Sequence, residues 1–173
     1  MAGRREVAML ERFTSRARQV VVLATEEARR RGHESVGPEH LLMGILRDSD
    51  GMAVKVLERL QVAPETLRAE IERVLSEGAR SSIGSEPAFS PELKAVFEAA
   101  LQSRRHPHMV GTENLLLGLL AYEGPQASRV LRGAGVDAEA ARGVISLFYD
   151  TAAAPLTTQS IRSIIKSKWG VQT

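Results

Sequence analysis

The second half of this chain repeats the first. Phe13-Thr-Ser-Arg-Ala-Arg-Gln-Val returns 76 positions later as Phe89-Ser-Pro-Glu-Leu-Lys-Ala-Val, and Gly37-Pro-Glu-His-Leu-Leu-Met-Gly-Ile-Leu returns 74 positions later as Gly111-Thr-Glu-Asn-Leu-Leu-Leu-Gly-Leu-Leu. The second copy is therefore two residues shorter between these blocks. The offset of 74 also pairs Ala53 with Ala127, Val56 with Val130, Leu57 with Leu131 and Val62 with Val136. Self-similarity at such a period marks a supersecondary unit that covers its apolar face with its neighbour. Two small units in one chain are thus expected to bury a shared core about a pseudo-twofold axis.

Each copy reads as four helices. Thr14 and Ser90 are N-cap residues, and Pro91 takes the first helical position of the second copy. Ala17, Val20, Val21, Ala24 and Ala28 then fall on one helical face. Gly37-Pro38 opens a short second helix to about Leu46, Gly51 a third to about Leu60, and Pro64 a fourth to about Ser76. In the second copy Asp137 caps the last helix, which carries Val144, Leu147 and Phe148. The expected organisation is a double repeat over residues 1–150, with repeat one at about 9–76, a Gly/Ser/Pro-containing linker at 77–87 and repeat two at 88–150. A hinge and an amphipathic tail follow at 151–173. The fold class is all-α: an eight-helix bundle of two four-helix repeats, plus a C-terminal amphipathic helix.

Composition fits that reading. Aromatics are only 4% of residues, so the core must come from Leu, Val, Ile and Ala, which suits close-packed helices. There is no cysteine, which excludes disulfides and thiolate metal sites and agrees with a cytoplasmic location. Lys plus Arg is 23 against 21 Asp plus Glu, interspersed along the helices, so neither nucleic acid nor a membrane is an expected partner. The first residues carry charge without an apolar run of signal-peptide length.

Glu11-Arg-Phe-Thr, Ala24-Thr-Glu-Glu-Ala-Arg, the two Gly-x-Glu-x-Leu-Leu blocks and Phe89-Ser-Pro together resemble the N-terminal domain family of Clp-type AAA+ unfoldases, most like the ClpC type. The resemblance spans about Met9 to Tyr149, with both copies in register. It implies a non-catalytic recognition module of the Clp proteolysis system, whose partners are a Clp unfoldase, adaptors and substrate proteins. No Gly-x-x-x-x-Gly-Lys-[Ser/Thr] phosphate loop occurs. The tail favours an independent, stand-alone protein over a fragment.

Glu39 and Glu113 each stand two residues after the Gly that opens the second helix of their copy. A carboxylate there complements the helix dipole. Beside unpaired helix N–H groups it also suits a ligand that carries both an anion and a guanidinium. The resemblance implies such a ligand, phosphoarginine, held by the Glu of this motif. Pro38 removes a hydroxyl and an N–H donor from the first copy, so Glu113 with Thr112 is expected to form the stronger site and Glu39 the weaker. The resemblance also implies a surface that binds cyclic peptides where the starts of the two copies meet. Leu10, Arg18, Val21, Val22, Phe89, Lys94 and Glu98 match it, with Leu10 where the family has a Phe. The plainer reading is that Leu10 and Phe89 seal the copies together.

The four histidines show no metal-ligand spacing; His106-Pro-His108 is read as a loop. Gly-x-Ser-x-Gly is absent, so neither an enzyme nor a cofactor is expected. In the tail, Ile161, Ile164, Ile165 and Trp169 fall on one helical face. The alternative function is accordingly a regulatory or scaffold protein acting through tail-mediated homo-oligomerisation or partner docking.

Overall fold

Helix starts fall where capping chemistry puts them. In the computed structural model, which describes residues 3–78, 86–104 and 109–153, the helices are α1 (Arg4–Leu10), α2 (Ser15–Arg31), α3 (Pro38–Arg47), α4 (Met52–Arg59), α5 (Pro64–Ser76), α6 (Pro91–Ser103), α7 (Thr112–Ala121), α8 (Gln126–Gly133) and α9 (Ala138–Ala153). Ala17 N donates to Thr14 Oγ1 (3.1 Å), Leu93 N to Ser90 Oγ (3.1 Å) and Ala140 N to Asp137 Oδ1 (2.7 Å), so all three expected caps form. Gly32 ends α2 at φ 70°, a left-handed conformation that costs glycine nothing.

Helices α2–α5 and α6–α9 are the two expected sets of four. Helix α1 precedes them and was not foreseen. Helix α9 runs three residues past Asp150, where a hinge was expected, because Ala152 and Ala153 are strong helix formers. The middle of the linker, the loop histidines His106 and His108, and the tail carrying Ile161, Ile164, Ile165 and Trp169 lie outside the described residues.

The copies are interlocked rather than side by side. Strand β1 (Ser35–Val36), just before α3, pairs in parallel with β2 (Ala88–Phe89), just before α6. The symmetric exchange is a parallel bridge from Phe13 to Val110, fixed by Thr14 N to Val110 O (2.9 Å) and Val110 N to Arg12 O (2.8 Å). Each copy thus lends the segment before its first helix to the segment before the other copy's second. Helix α3 touches α6 and α8 of the other copy, and α7 touches α2 and α4.

Helices α3 and α7 form the centre. Leu41 to Leu46 and Leu115 to Leu120 are buried without interruption, as in helices surrounded on all sides. On α9, Ala141 and Ile145 are buried and Val144 and Phe148 half-buried, so the apolar face leaves Leu147 out, 56% exposed, against the sequence reading.

One glycine per copy sets the depth of the main crossing. A Cβ at Gly44 would lie 2.6 Å from the Val20 carbonyl oxygen of α2, and one at Gly118 would lie 2.4 Å from the Val96 carbonyl oxygen of α6. The obstacle is backbone, which cannot swing aside as a side chain does. Gly44→Ala and Gly118→Ala are each expected to cost about 1–3 kcal/mol, the range for overpacking a close-packed contact. Gly143 meets nothing within 4 Å, so Gly143→Ala should be neutral or stabilising. Urea midpoints of the three variants test this; a Gly44 variant as stable as the parent would mean that the crossing can relax.

Candidate functional site

Two helix N-termini, one from each copy, meet at Glu39 and, in the second copy, at Thr112 beside Glu113. At the first, Glu39 in the opening turn of α3 reaches the start of α8, where Ala127 N donates to its Oε1 at 3.4 Å. At the second, Thr112 in the opening turn of α7 reaches the start of α4, where Ala53 N donates to Thr112 Oγ1 at 3.1 Å. Ala53 and Ala127 are pseudo-symmetric, so the same orphan helix donor is satisfied by a hydroxyl in one place and a carboxylate in the other. Pro38, equivalent to Thr112, has no hydroxyl, and Glu39 substitutes for it.

This changes the ranking read from sequence. Thr112 is 3% exposed and its hydroxyl is committed to a cap, so its absence at Pro38 removes nothing a ligand would use. Glu113 is 5% exposed and accepts a hydrogen bond from the Tyr149 hydroxyl at 2.5 Å. Glu39 is half-buried, and its contact with α8 is long. The more accessible of the two carboxylates is therefore Glu39. Sequence reasoning missed Tyr149 because its partner is 36 residues away.

His40 and Asn114 also prove to be equivalent. Gly37 N donates to His40 Nδ1 (2.9 Å), and Gly111 N donates to Asn114 Oδ1 (2.9 Å). Both close the first turn of a central helix from its third position. An acceptor at Nδ1 leaves the His40 proton on Nε2, which lies 2.7 Å from His33 Nδ1. Burial first, and then the neighbouring His33, push the His40 imidazole down to about 4.

The second candidate surface lies where the copies begin. Phe97 of α6 packs edge-on against Phe13 (centroids 5.3 Å apart) and against Phe89 (5.5 Å), so aromatic contacts join the two starts. Phe89 and Leu10 are half-buried against the core, while Arg18, Lys94, Glu98 and Val22 (46%) are exposed. Val21 is 4% exposed and belongs to the core: it lies on the buried stripe with Ala17, Ala24 and Ala28, and cannot line a surface. Lys94 Nζ pairs with Glu6 Oε1 at 2.8 Å, which ties α1 to α6. That contact holds the Glu6 carboxyl below its usual range. Among the described residues no group of three or more His, Cys, Asp or Glu could hold a metal, and no helix is long and apolar enough to cross a membrane.

Comparison with known proteins agrees with this architecture. The family described as Clp repeat (R) N-terminal domain matches residues 12–134. A ClpA homolog, an ATP-dependent Clp protease ATP-binding subunit from Cyanidium caldarium, is 38% identical over 158 residues, 90% of this chain and 18% of that protein. Chloroplastic chaperone ClpC1 of Oryza sativa is 40% identical over 75% of this chain and 14% of its own length. The chain thus spans less than a fifth of these relatives. Among solved structures, the Hsp104 N-terminal domain of Candida albicans superposes with TM-score 0.65 at 20% identity, covering 78% of this chain and 89% of that one. A ClpV N-domain in complex with a VipB peptide superposes with TM-score 0.59 at 16% identity, covering 74% and 82%.

The His40 geometry gives a pH dependence of known sign. The folded state keeps His40 neutral, whereas the unfolded chain takes a proton near 6.5. The contribution is fully present above pH 6.5 and is lost as pH falls from 6.5 towards 4, by at most about 3 kcal/mol. Glu27, Arg31 and His33 face the same imidazole and are unchanged in His40→Asn. That variant keeps a cap acceptor, as Asn114 does, and should flatten the stability profile in this window. Parallel urea-midpoint profiles of parent and variant between pH 4 and 7 would rule out His40 as the source.

Proposed function

Since this chain belongs to the Clp repeat N-terminal domain family, we propose that it is a non-catalytic recognition module that presents proteins to a Clp-type unfoldase in the cytoplasm. We further propose that the mark it reads is phosphoarginine. One observation supports this most directly: a carboxylate, Glu39, where the N-termini of α3 and α8 converge, with Glu113 in the equivalent first turn of α7. The N–H ends attract the phosphoryl group, and the carboxylate takes the guanidinium in a two-pronged contact. Glu39 is ready for that role. Glu113, with Thr112 fixed beside it as a cap, must first be released from the Tyr149 hydroxyl.

The surface between the copies supports a second reading, the binding of a cyclic peptide over Leu10, Val22 and Phe89 with Arg18, Lys94 and Glu98 at its edge. Phe89 is half-exposed and its ring is held by Phe97, so it is a pre-ordered contact. Adaptor proteins are partners we propose for the same face. The scaffold alternative rests on the tail, with Trp169 as anchor.

Calorimetry with free phosphoarginine separates these possibilities. Glu39→Ala is expected to weaken binding at least tenfold, about 1.4 kcal/mol. Glu113→Ala should have a smaller effect, and Tyr149→Phe should strengthen binding by freeing Glu113. Equal losses for the two Glu variants with no effect of Tyr149→Phe would reject this ranking; no binding by the parent protein would reject phosphoarginine as the ligand.

A further inference from the structure

The pseudo-twofold axis relates two concavities whose chemistry has diverged. In the first copy it is lined by Glu26, Glu27, Arg29, Arg30, Met43, Arg47, Arg68 and Glu72. Here every guanidinium has an acceptor from its own chain. Arg30 and Arg31 donate to Glu27 (2.7 and 2.6 Å), Arg31 also to Glu72 (2.6 Å), Arg29 to Glu86, and Arg68 to the Leu46 carbonyl (2.5 Å), while Arg47 lies 3.7 Å from Glu27. Glu27 is 3% exposed. Burial alone would raise its carboxyl, but the bonds from Arg30 and Arg31 outweigh that and hold it below its usual value.

At the equivalent positions the second copy has serines for the two acids and keeps an arginine. Ser103 replaces Glu27, Ser146 replaces Glu72, Leu117 replaces Met43, and Arg142 stands where Arg68 stood. Helix α6 has 13 residues against 17 in α2 and ends at Ser103, the position equivalent to Glu27. The Leu120 carbonyl, equivalent to that of Leu46, already accepts from Arg132 Nη2 at 2.9 Å and is taken from Arg142. What results is a cleft of about 520 Å3 between α6, α7 and α9, with Met109, Leu117 and Ile145 as its apolar part, and with two cations, Arg104 and Arg142, against one acid, Asp150, in its lining beside Tyr149. Among the described residues and their interactions, neither guanidinium has a partner.

We infer that this cleft binds an acidic peptide segment supplied by another protein. A carboxylate side chain pairs with Arg104 and Arg142, in the place where the first copy keeps Glu27 and Glu72, and an aliphatic neighbour packs on Met109, Leu117 and Ile145. The volume is in the usual range for a ligand cleft, and guanidinium–carboxylate pairing gives it direction as well as attraction. This site takes neither Glu39 nor Glu113 as a ligand, but Tyr149, which bonds Glu113, lines it, so the variant that separates it from the phosphoarginine reading is Glu39→Ala and not Tyr149→Phe.

Fluorescence anisotropy with a fluorescein-labelled, C-terminally amidated peptide, Gly-Leu-Glu-Leu-Glu-Leu-Gly, tests it against the same peptide with Gln for Glu. The acidic peptide is expected to bind at least tenfold more tightly. Arg142→Ala should weaken it at least fivefold, and Ser103→Glu, which rebuilds the missing carboxylate, at least tenfold. Arg142→Ala should keep the parent's helical signature, because Arg142 is exposed; Ser103→Glu also removes the hydroxyl that bonds Ala100 and Asn114, so Ser103→Ala, which should bind as tightly as the parent, is its control. Glu39→Ala should leave acidic-peptide binding unchanged. Equal binding of the two peptides would overturn the inference, as would a loss from Arg73→Ala, on α5, as large as that from Arg142→Ala.

Discussion

Two backbone contacts govern this fold: the α-carbon of Gly44 against the Val20 carbonyl, and that of Gly118 against the Val96 carbonyl. Any side chain at either glycine would push a central helix away from the helix it crosses. With the glycines in place, α3 and α7 sink into the middle and become buried all round, so their residues can be Leu, Ile and Met without interruption. Their N-termini are then carried inward, close to α8 and α4 of the opposite copy. The candidate carboxylates stand on those N-termini. Their position is a consequence of helix depth.

The caps and strands explain why the two copies behave as one body. Glu39 receives the first turn of α8, Thr112 receives the first turn of α4, and β1 pairs with β2 across the axis. Each of these is a polar contact that one copy cannot make alone. Buried backbone donors must find acceptors, and here the acceptors lie on the other half of the chain. The exchange also explains why Thr112 and Glu39 differ in kind yet do the same work. The requirement is for an acceptor at that point, and either side chain supplies it.

Much of this was legible in the sequence because it is local or periodic. Thr14, Ser90 and Asp137 cap the helices they precede, and the duplication announced two sets of four helices. What was hidden depends on contacts between distant residues. Val21 was assigned to a surface by resemblance, although its own spacing with Ala17 and Ala24 put it in the core. Asn114 looked like a departure from His40, and only the bond to Gly111 shows that the two perform the same capping. Tyr149 carries no motif, and nothing short of the folded arrangement connects it with Glu113. Helix α1 is a single short helix tied on by Lys94, and its sequence has no periodic stripe to reveal it.

A single four-helix copy with these exchanged strands and caps would be complete only as a twofold dimer of identical chains. In such a dimer every substitution appears on both sides of the axis at once. Joining the copies in one polypeptide removes that rule. One side was free to keep Glu27 and Glu72 as internal counter-ions for its arginines, while the other has a first helix shorter by a turn and serines at those two positions. The molecule retains the packing economy of a symmetric object but presents two unlike faces, so a partner meets it in one orientation and not two.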